Sequence, residues 1–430
     1  MLMRTESQSY LELAHGIASY VSRTAIWHEE RCTWIGAMPQ AGAGGRPTLT
    51  YQAFDADLYG GTAGVGLFLA EMAAVQEDDS LRTTALGALR HAHRRVQRID
   101  GSVGDGLYSG AIGVACALAR AGQVLNESRL LEEADEIGQS QLPERVQGER
   151  IECDLMSGVA GRLIGLLALA RQIGDSRYVA SALLSADRLL SQAQQRGNGL
   201  CWPSLTIANS PALLGLSHGA SGIAVALLEA ARVSGRDTYL RAAQGAFEYE
   251  RGHYDARARN WPDLREESPG MPRSFATYWC HGAPGIALAR IRALELGYEE
   301  EMRAEARTAL GTTASFVRTA LDGAQGNFSL CHGLAGNAEV LLAGSGLVAE
   351  PDAALPYEVA DAGRRVYGTD FARWPCGTLE GSTAGLFLGL AGVGHFYLRL
   401  ARPTTPSVLL MRPESAGTSG SHQAASDRRG

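Results

Sequence analysis

Residues 61–70 read GTAGVGLFLA, and this pattern of two glycines three residues apart followed by an apolar run recurs along the chain. The first glycines of its seven copies are Gly61, Gly110, Gly158, Gly219, Gly282, Gly333 and Gly389. Successive copies lie 49, 48, 61, 63, 51 and 56 residues apart, which is too regular for chance and too long for leucine-rich or ankyrin repeats. The chain is therefore predicted to contain seven copies of one supersecondary unit.

Each unit combines two kinds of segment. Stretches such as 65–70 and 223–228 are apolar nearly all round, which indicates buried helices, whereas 80–100 and 237–251 are charged and amphipathic. One buried and one amphipathic helix per unit gives about fourteen helices. We predict an all-α fold, an α/α toroid in which seven inner helices are ringed by seven outer ones. An open solenoid is the alternative architecture.

The repeats favour a single domain. We assign residues 1–402 to the toroid, with a core at roughly 50–400, since a repeat architecture can unite a chain of this length. Residues 251–275 are rich in charge and proline and are predicted to form a loop at the rim. Residues 403–430 are rich in Ser, Gly and Pro, and this composition predicts a disordered tail.

Composition narrows the class of protein. The chain is 45% hydrophobic and 20% charged, without an apolar run near the roughly 20 residues of a membrane span or the apolar core of a secretory signal, so we expect a cytoplasmic enzyme. A net charge of -7 argues against a nucleic-acid partner. All 39 basic residues are arginine, which favours a GC-rich bacterial genome. An odd number of cysteines, seven, predicts free thiols rather than a disulfide framework.

Two units carry the same tripeptide, Cys-His-Gly, at 280–282 and 331–333. Thiolate and imidazole are zinc ligands, and here they stand at equivalent points of the repeat, where a helix begins. Their separation excludes a zinc finger, whose ligands lie a few residues apart. The two tripeptides therefore predict one metal site built from two units.

Four motifs carry a resemblance to a known family. They are DLMSGVAG at 154–161, GLSHG at 215–219, WCHGAPG at 279–285 and CHGLAG at 331–336. With them, the chain resembles the lanthionine cyclase (LanC-like) family over roughly residues 50 to 400. The resemblance implies an α/α toroid with one central Zn²⁺ whose ligands are Cys280, Cys331 and His332. Three protein ligands leave a fourth position open, as in catalytic zinc sites. A closed four-ligand site that also uses His281 is the alternative.

The resemblance also implies acid/base residues. His218 stands where Cys-His-Gly stands in the next two units and is expected to handle the proton of the thiol or of the enolate, although a helix-start histidine could also have a purely structural role. Asp154 is expected to orient His218 and raise its pKa, unless it is only a helix cap. His281 replaces a tyrosine found in many members, and its position beside a ligand suits enolate protonation. The family arginine one turn before the cysteine is absent at Ala276, and Arg273 is its predicted substitute.

These features predict a zinc-dependent lanthionine cyclase, which adds cysteine thiolates to dehydroalanine or dehydrobutyrine in a ribosomally made peptide. The family implies a dehydrated precursor peptide with a leader, and a separate dehydratase. Two alternatives remain: an enzyme that adds a glutathione-like thiol to dehydrated residues, and a scaffold that binds a peptide or partner without turnover. Zinc content distinguishes the enzymes from the scaffold, because only catalysis needs the metal.

Overall fold

The structure is a computed structural model. It describes residues 2–41, 47–99, 106–142, 151–205, 211–266, 272–298, 301–347, 352–378 and 381–412. Within these ranges the chain forms fourteen α-helices and three short β-hairpins. None of these helices is both long and apolar enough to cross a bilayer.

Seven inner helices form a closed ring. They are α2 (Thr62–Gln76), α4 (Ala111–Leu125), α6 (Val159–Ile173), α8 (Ala220–Ser234), α10 (Ala283–Glu295), α12 (Leu334–Ala343) and α14 (Leu390–Ala401). Each contacts the next, and α14 returns to contact α2. The predicted toroid is confirmed, because an open solenoid would leave its first and last inner helices apart.

Seven outer helices pack against this ring. They are α1 (Leu2–Arg23), α3 (Asp79–Arg95), α5 (Ser128–Ser140), α7 (Ser176–Gln192), α9 (Asp237–Arg251), α11 (Glu301–Asp322) and α13 (Leu355–Tyr367). Six of them follow their inner helix in sequence, whereas α1 packs on α14. The N-terminal helix therefore completes the last unit, so the toroid extends well before the core predicted at residue 50.

The glycine pairs mark helix starts, as predicted. In all seven units the first glycine is the N-cap of the inner helix. A Cβ on the second glycine would overlap the carbonyl oxygen six residues earlier, for example Leu107 O at Gly113 and Leu330 O at Gly336. The pair therefore lets the segment before each inner helix, here called its lead-in, fold tightly back onto the first turn. The closest contact of these second glycines is with the lead-in backbone, not with a neighbouring helix.

Outer helices are polar on one side, and two of them, α3 and α7, have side-chain caps among the described residues. Asp78 caps α3 by accepting hydrogen bonds from the backbone N–H groups of Ser80 and Leu81 at 2.9 and 3.0 Å. Charged residues on the inner helices are paired where they are buried. Glu250 and Arg290, for example, form a fully buried ion pair with an oxygen–nitrogen distance of 2.7 Å. The desolvation cost of each charge is offset by its partner.

Three antiparallel hairpins interrupt the helical pattern and were not predicted. The strands are β1 (Ile26–His28) with β2 (Arg31–Thr33), β3 (Ile35–Ala41) with β4 (Pro47–Ala53), and β5 (Gln194–Arg196) with β6 (Gly199–Cys201). The registers pair Ile26 with Thr33, Ile35 with Ala53, and Gln194 with Cys201. The first two hairpins connect α1 to α2, and the third connects α7 to the fourth lead-in.

The C-terminal segment 403–412 is ordered against the core, so the prediction of disorder is wrong for these residues. Val408, Leu409 and Leu410 are only 4, 0 and 5% exposed. The Tyr108 hydroxyl donates a hydrogen bond to Leu409 O at 2.9 Å, and Trp279 Nε1 donates to the same oxygen at 2.8 Å. The toroid domain therefore extends past residue 402. The rest of the predicted tail, 413–430, lies outside the described residues.

Candidate active site

Seven lead-ins meet at one face of the toroid, where the inner helices begin. In each unit, the residue two before the first glycine sits at an equivalent point. These residues are Tyr59, Tyr108, Met156, Ser217, Cys280, Cys331 and Phe387. Backbone hydrogen bonds of 2.9 to 3.4 Å join them in turn, from Cys331 through Phe387 and on to Cys280. Seven helix N-termini therefore converge on this face and give it partial positive charge.

Cys280 and Cys331 meet at the one junction of this ring where no such backbone bond is seen among the described residues. Their thiols share a hydrogen bond. That bond lowers the pKa of Cys280 against the effect of burial, and the charge of Arg265 lowers it further. The pKa of Cys331 is raised by its bond with Cys280 and by burial. The pair thus loses one proton readily, and a second thiolate needs a cation beside it.

His332 follows Cys331 and is the third candidate ligand. Its Nε2–H donates to the carbonyl of Gly377 at 2.8 Å, which leaves Nδ1 as the nitrogen with a free lone pair. Burial lowers the pKa of His332, so the ring is neutral near pH 7. A neutral imidazole held by a backbone carbonyl through its other nitrogen is the usual form of a metal-binding histidine.

The donor set fits zinc in its chemistry. Two thiols in contact, which need a cation to ionise together, and a neutral imidazole beside them are soft and borderline ligands of the kind zinc takes. Among the described residues, however, no three Cys, His, Asp or Glu side chains are already gathered closely enough to hold a metal. The structure thus brings the two cysteines together but leaves His332 outside a shared coordination sphere.

Asp154 and His218 form the closest acid/base pair at this face. Nδ1 of His218 donates to the Asp154 carboxylate at 2.6 Å, and the backbone N–H of Ser157 donates to its other oxygen at 2.7 Å. Asp154 is 1% exposed, while the His218 side chain is 23% exposed. Burial lowers the pKa of His218, but the hydrogen bond and charge of Asp154 outweigh it and raise that pKa above 6.5. The ring therefore presents Nε2 outward and holds a proton more readily than usual.

His281 stacks on His218, with ring centroids 5.9 Å apart and planes at 20°. It is 3% exposed, and its ring bonds the carbonyl of Leu214 while Nε2 has no partner among the described residues. Nδ1 is thus the donor, and Nε2 carries a lone pair. Burial, followed by the charge of Arg265, lowers the pKa of His281 far below 6.5. Of the two stacked histidines, His218 therefore binds a proton more readily than an ordinary histidine, and His281 binds one less readily.

Arg273, the predicted substitute for the family arginine, is exposed, and its charge helps to lower the pKa of Asp255. Arg265, in the same long loop, was not predicted. Its charge acts on both cysteines and on three histidines, namely Cys280, Cys331, His218, His281 and His332.

Asp263 holds Arg265 in place. The Asp263 carboxylate is 3% exposed and accepts from Arg265 Nε at 2.9 Å. The backbone N–H of Asp263 donates to Ser274 O at 2.9 Å, which ties the loop together. The loop predicted at the rim therefore supplies the cation of the site. Its charged composition was the only sequence signal, and it did not single out one arginine.

The chain is similar to known proteins over most of its length. The family model described as "Lanthionine synthetase C-like protein" matches residues 52–411. The lacticin 481/lactococcin biosynthesis protein LcnDR2 of Lactococcus lactis subsp. lactis is 22% identical over 373 residues, which are 84% of this chain and 38% of that protein. Glutathione S-transferase LANCL1 of Danio rerio is 24% identical over 370 residues, 80% of this chain and 82% of that one.

A solved structure titled "Nisin cyclase" shares the fold. Its TM-score is 0.61 at 19% identity, and the match covers 81% of this chain and 89% of that one. Because this chain spans 38% of the lactococcal protein's length, the similarity there concerns one part of a larger protein.

Proposed function

Because this chain belongs to the lanthionine synthetase C-like family, we propose that it is a zinc-dependent cyclase that closes thioether rings in a dehydrated peptide. The observation that carries the proposal is the pair of contacting thiols, Cys280 and Cys331, beside the Asp154–His218 pair at the face where the inner helices begin. Each of these four side chains comes from a different unit, and the backbone hydrogen bonds between the lead-ins hold the four units together at this face. A fold without chemistry to perform has no need for this combination.

Zinc would be held by Cys280, Cys331 and His332, and when bound it would acidify the thiol of a substrate cysteine while leaving its sulfur nucleophilic. Two protein thiolates and one from the substrate give the site a formal charge of about 2 − 3 = −1. The positive helix ends and Arg265 surround that charge. The site can thus stabilise negative charge without neutralising the reacting sulfur.

Protons would move between substrate and the two stacked histidines. The thiol passes its proton to solvent by way of Nε2 of His281, which carries a lone pair and has no hydrogen-bond partner among the described residues. Because its pKa is lowered, His281 relays this proton rather than keeping it, and this role replaces the enolate protonation expected from the sequence. The sulfur then bonds to the β-carbon of the dehydroalanine, and the electron pair of the double bond moves to the α-carbon and its carbonyl as an enolate. Nε2–H of His218 protonates the α-carbon, and the two rings recover their starting states by proton exchange with solvent. Atoms balance as a simple addition, without oxidation or reduction.

Arg265 would stabilise the enolate. The charge on the enolate oxygen develops only after the sulfur has added, so a fixed cation there favours the transition state over the bound substrate. Asp263 fixes the guanidinium through a bidentate ion pair, which keeps the cation in place before substrate arrives. In this chain Arg265 would therefore take the part that the family gives to an arginine at the position of Ala276.

The test uses a synthetic peptide with one dehydroalanine and one downstream cysteine. Ring closure leaves the mass unchanged but removes the free thiol, so alkylation followed by mass spectrometry measures it. The wild-type protein loaded with Zn²⁺ should protect the peptide from alkylation, and Cys331→Ala should not. Equal alkylation with both proteins, given one zinc per wild-type chain, would reject the proposal.

The similarity to a glutathione S-transferase favours a second candidate, addition of glutathione to dehydrated residues. A dehydroalanine peptide without cysteine distinguishes the two. Incubation with glutathione should add one glutathione mass if this reading is correct. If this peptide stays unmodified while the cysteine-containing peptide is cyclised, only the cyclase function remains.

The cyclase reading implies further partners. A dehydratase must supply the dehydroalanine, and we propose that it is a separate protein that acts on a precursor with a leader. We place the reaction in the cytoplasm, since all seven cysteines are unpaired, as expected of a reducing compartment.

A further inference from the structure

Tyr59 occupies the same point of the first unit as Cys280 and Cys331 occupy in theirs. Its backbone N–H donates to Tyr108 O at 3.0 Å, and its carbonyl accepts from the N–H of Phe387 at 2.9 Å. Phe387 in turn accepts from the N–H of Cys331 at 3.0 Å. Tyr59 is therefore fixed in the ring of lead-ins, two positions from Cys331 and separated from it by Phe387.

The ring of Tyr59 stacks on Phe387, with centroids 5.0 Å apart and planes at 13°. Phe387 also contacts the rings of Tyr108 and Trp279, so it is itself held from two sides. Phe387, Tyr108 and Trp279 are fully buried, whereas Tyr59 is partly exposed. Tyr59 is thus the aromatic of this cluster that is open to the site, and its hydroxyl lies within hydrogen-bonding reach of Cys331.

We propose that Tyr59 is a positioning residue that donates a hydrogen bond to Cys331 Sγ and so keeps this protein sulfur from reacting in place of the substrate's. The inference rests on the proposed function, because it concerns the difference in reactivity between the two protein sulfurs and the substrate sulfur at the proposed metal. A phenol is protonated at neutral pH and can only donate to a thiolate. A hydrogen bond stabilises thiolate charge, and a thiolate so stabilised is a weaker nucleophile.

The side reaction that Tyr59 would prevent is chemically simple. If Cys331 Sγ bonded to the β-carbon of a dehydroalanine, the double-bond electrons would pass to the α-carbon, which would take a proton. The product is a thioether between enzyme and peptide, and the site would lose a ligand. The substrate sulfur enters the open position and needs no such restraint.

The experiment compares wild type with Tyr59→Phe, which keeps the stacked ring and removes the donor. Tyr108→Phe is the matched control, because it makes the same change at the equivalent point of the next unit, where the hydroxyl bonds carbonyls rather than a thiol. All three proteins are loaded with Co²⁺, and their sulfur-to-metal charge-transfer bands are recorded. Tyr59→Phe should move the band to lower energy, since Cys331 becomes more electron-rich, while Tyr108→Phe should not.

The same loaded proteins are then incubated with a dehydroalanine peptide that lacks cysteine, and the adduct on Cys331 is measured by mass spectrometry. Tyr59→Phe should form it roughly 2- to 10-fold faster than wild type, the size of effect that one hydrogen bond has. Unchanged charge-transfer bands and adduct rates would overturn the role of Tyr59 and leave the zinc proposal standing. A wild-type protein that takes up no Co²⁺ or Zn²⁺ would overturn the zinc proposal and this inference with it.

Discussion

Ending the chain after Arg402 should destabilise the protein, whereas ending it after Arg412 should not. Residues 403–412 pack on the core, with Leu409 fully buried. The two truncated chains differ only in this segment, and both lack residues 413–430. A third protein, Leu409→Ala in the full chain, removes one side chain and keeps the backbone.

The magnitudes follow from burial. Truncating a fully buried leucine to alanine costs about 2–5 kcal/mol. Unfolding entropy is about 2.1 cal/mol/K per residue, so for 430 residues a loss of about 0.9 kcal/mol lowers Tm by roughly 1 °C. Leu409→Ala should therefore lower Tm by about 2–5 °C. Ending at Arg402 also leaves Trp279 Nε1 and the Tyr108 hydroxyl buried without their acceptors, at about 1–3 kcal/mol each. The total is about 4–11 kcal/mol, or roughly 4–12 °C.

Thermal melts followed by circular dichroism on the four proteins measure these shifts. Zinc affinity is measured in parallel, because Trp279 directly precedes Cys280 and its ring should move when Leu409 O is gone. We expect the chain that ends at Arg402 to bind zinc more weakly, and the chain that ends at Arg412 to match wild type. If the shorter chain melted within about 1 °C of the full one, the packing argument would be wrong.

The remaining predictions concern single groups in the site. Cys331→Ala should lose tight zinc binding with an unchanged helical circular dichroism spectrum, because the fold rests on its apolar core; one zinc per chain in this variant would exclude Cys331 as a ligand. An NMR titration should place the pKa of His218 above about 6.5 in wild type and below it in Asp154→Asn, where burial is no longer outweighed. Since the folded pKa is the raised one, wild type should exceed Asp154→Asn in stability most below about pH 6.5, with the difference shrinking as pH rises through the folded pKa; a difference constant with pH would contradict this. Arg265→Gln should slow ring closure roughly 100-fold with zinc retained, the loss typical of one oxyanion-stabilising group, whereas Arg273→Gln on the same loop should stay near wild type; equal rates for both would exclude enolate stabilisation by Arg265.

The features that the repeat determines, namely where each inner helix begins and which residues share a face, could be predicted from the sequence. Each inner helix begins right after its first glycine, as at Gly158 and Gly219, because a lead-in that folds back on the first turn has room for nothing larger. Since the lead-ins are equivalent, groups far apart in sequence could be expected at one face. The contact between Asp154 and His218, 64 residues apart, is an example.

Features outside the repeat could not be predicted in the same way. Arg265 lies in a long loop outside the repeated helices and glycine pairs, so spacing could not distinguish it from Arg273. The segment 403–412 contains the apolar run Val408-Leu409-Leu410, but the Ser, Gly and Pro around it dominated the average composition. Closing the outer ring with α1 requires a contact between chain ends, which no local pattern encodes.

Two histidines at the same position of the repeat have opposite acid/base properties. His218 and His281 each directly precede the first glycine of their unit, and their rings stack. His218 donates Nδ1–H to a buried carboxylate, which favours the imidazolium, whereas His281 donates to a backbone carbonyl, which cannot offset its burial. The difference lies in the partners, since Asp154 comes from the preceding unit and Leu214 from the lead-in of His218 itself. Closure of the toroid places a proton donor and a proton acceptor side by side. An addition that takes one proton from sulfur and gives one to carbon needs both.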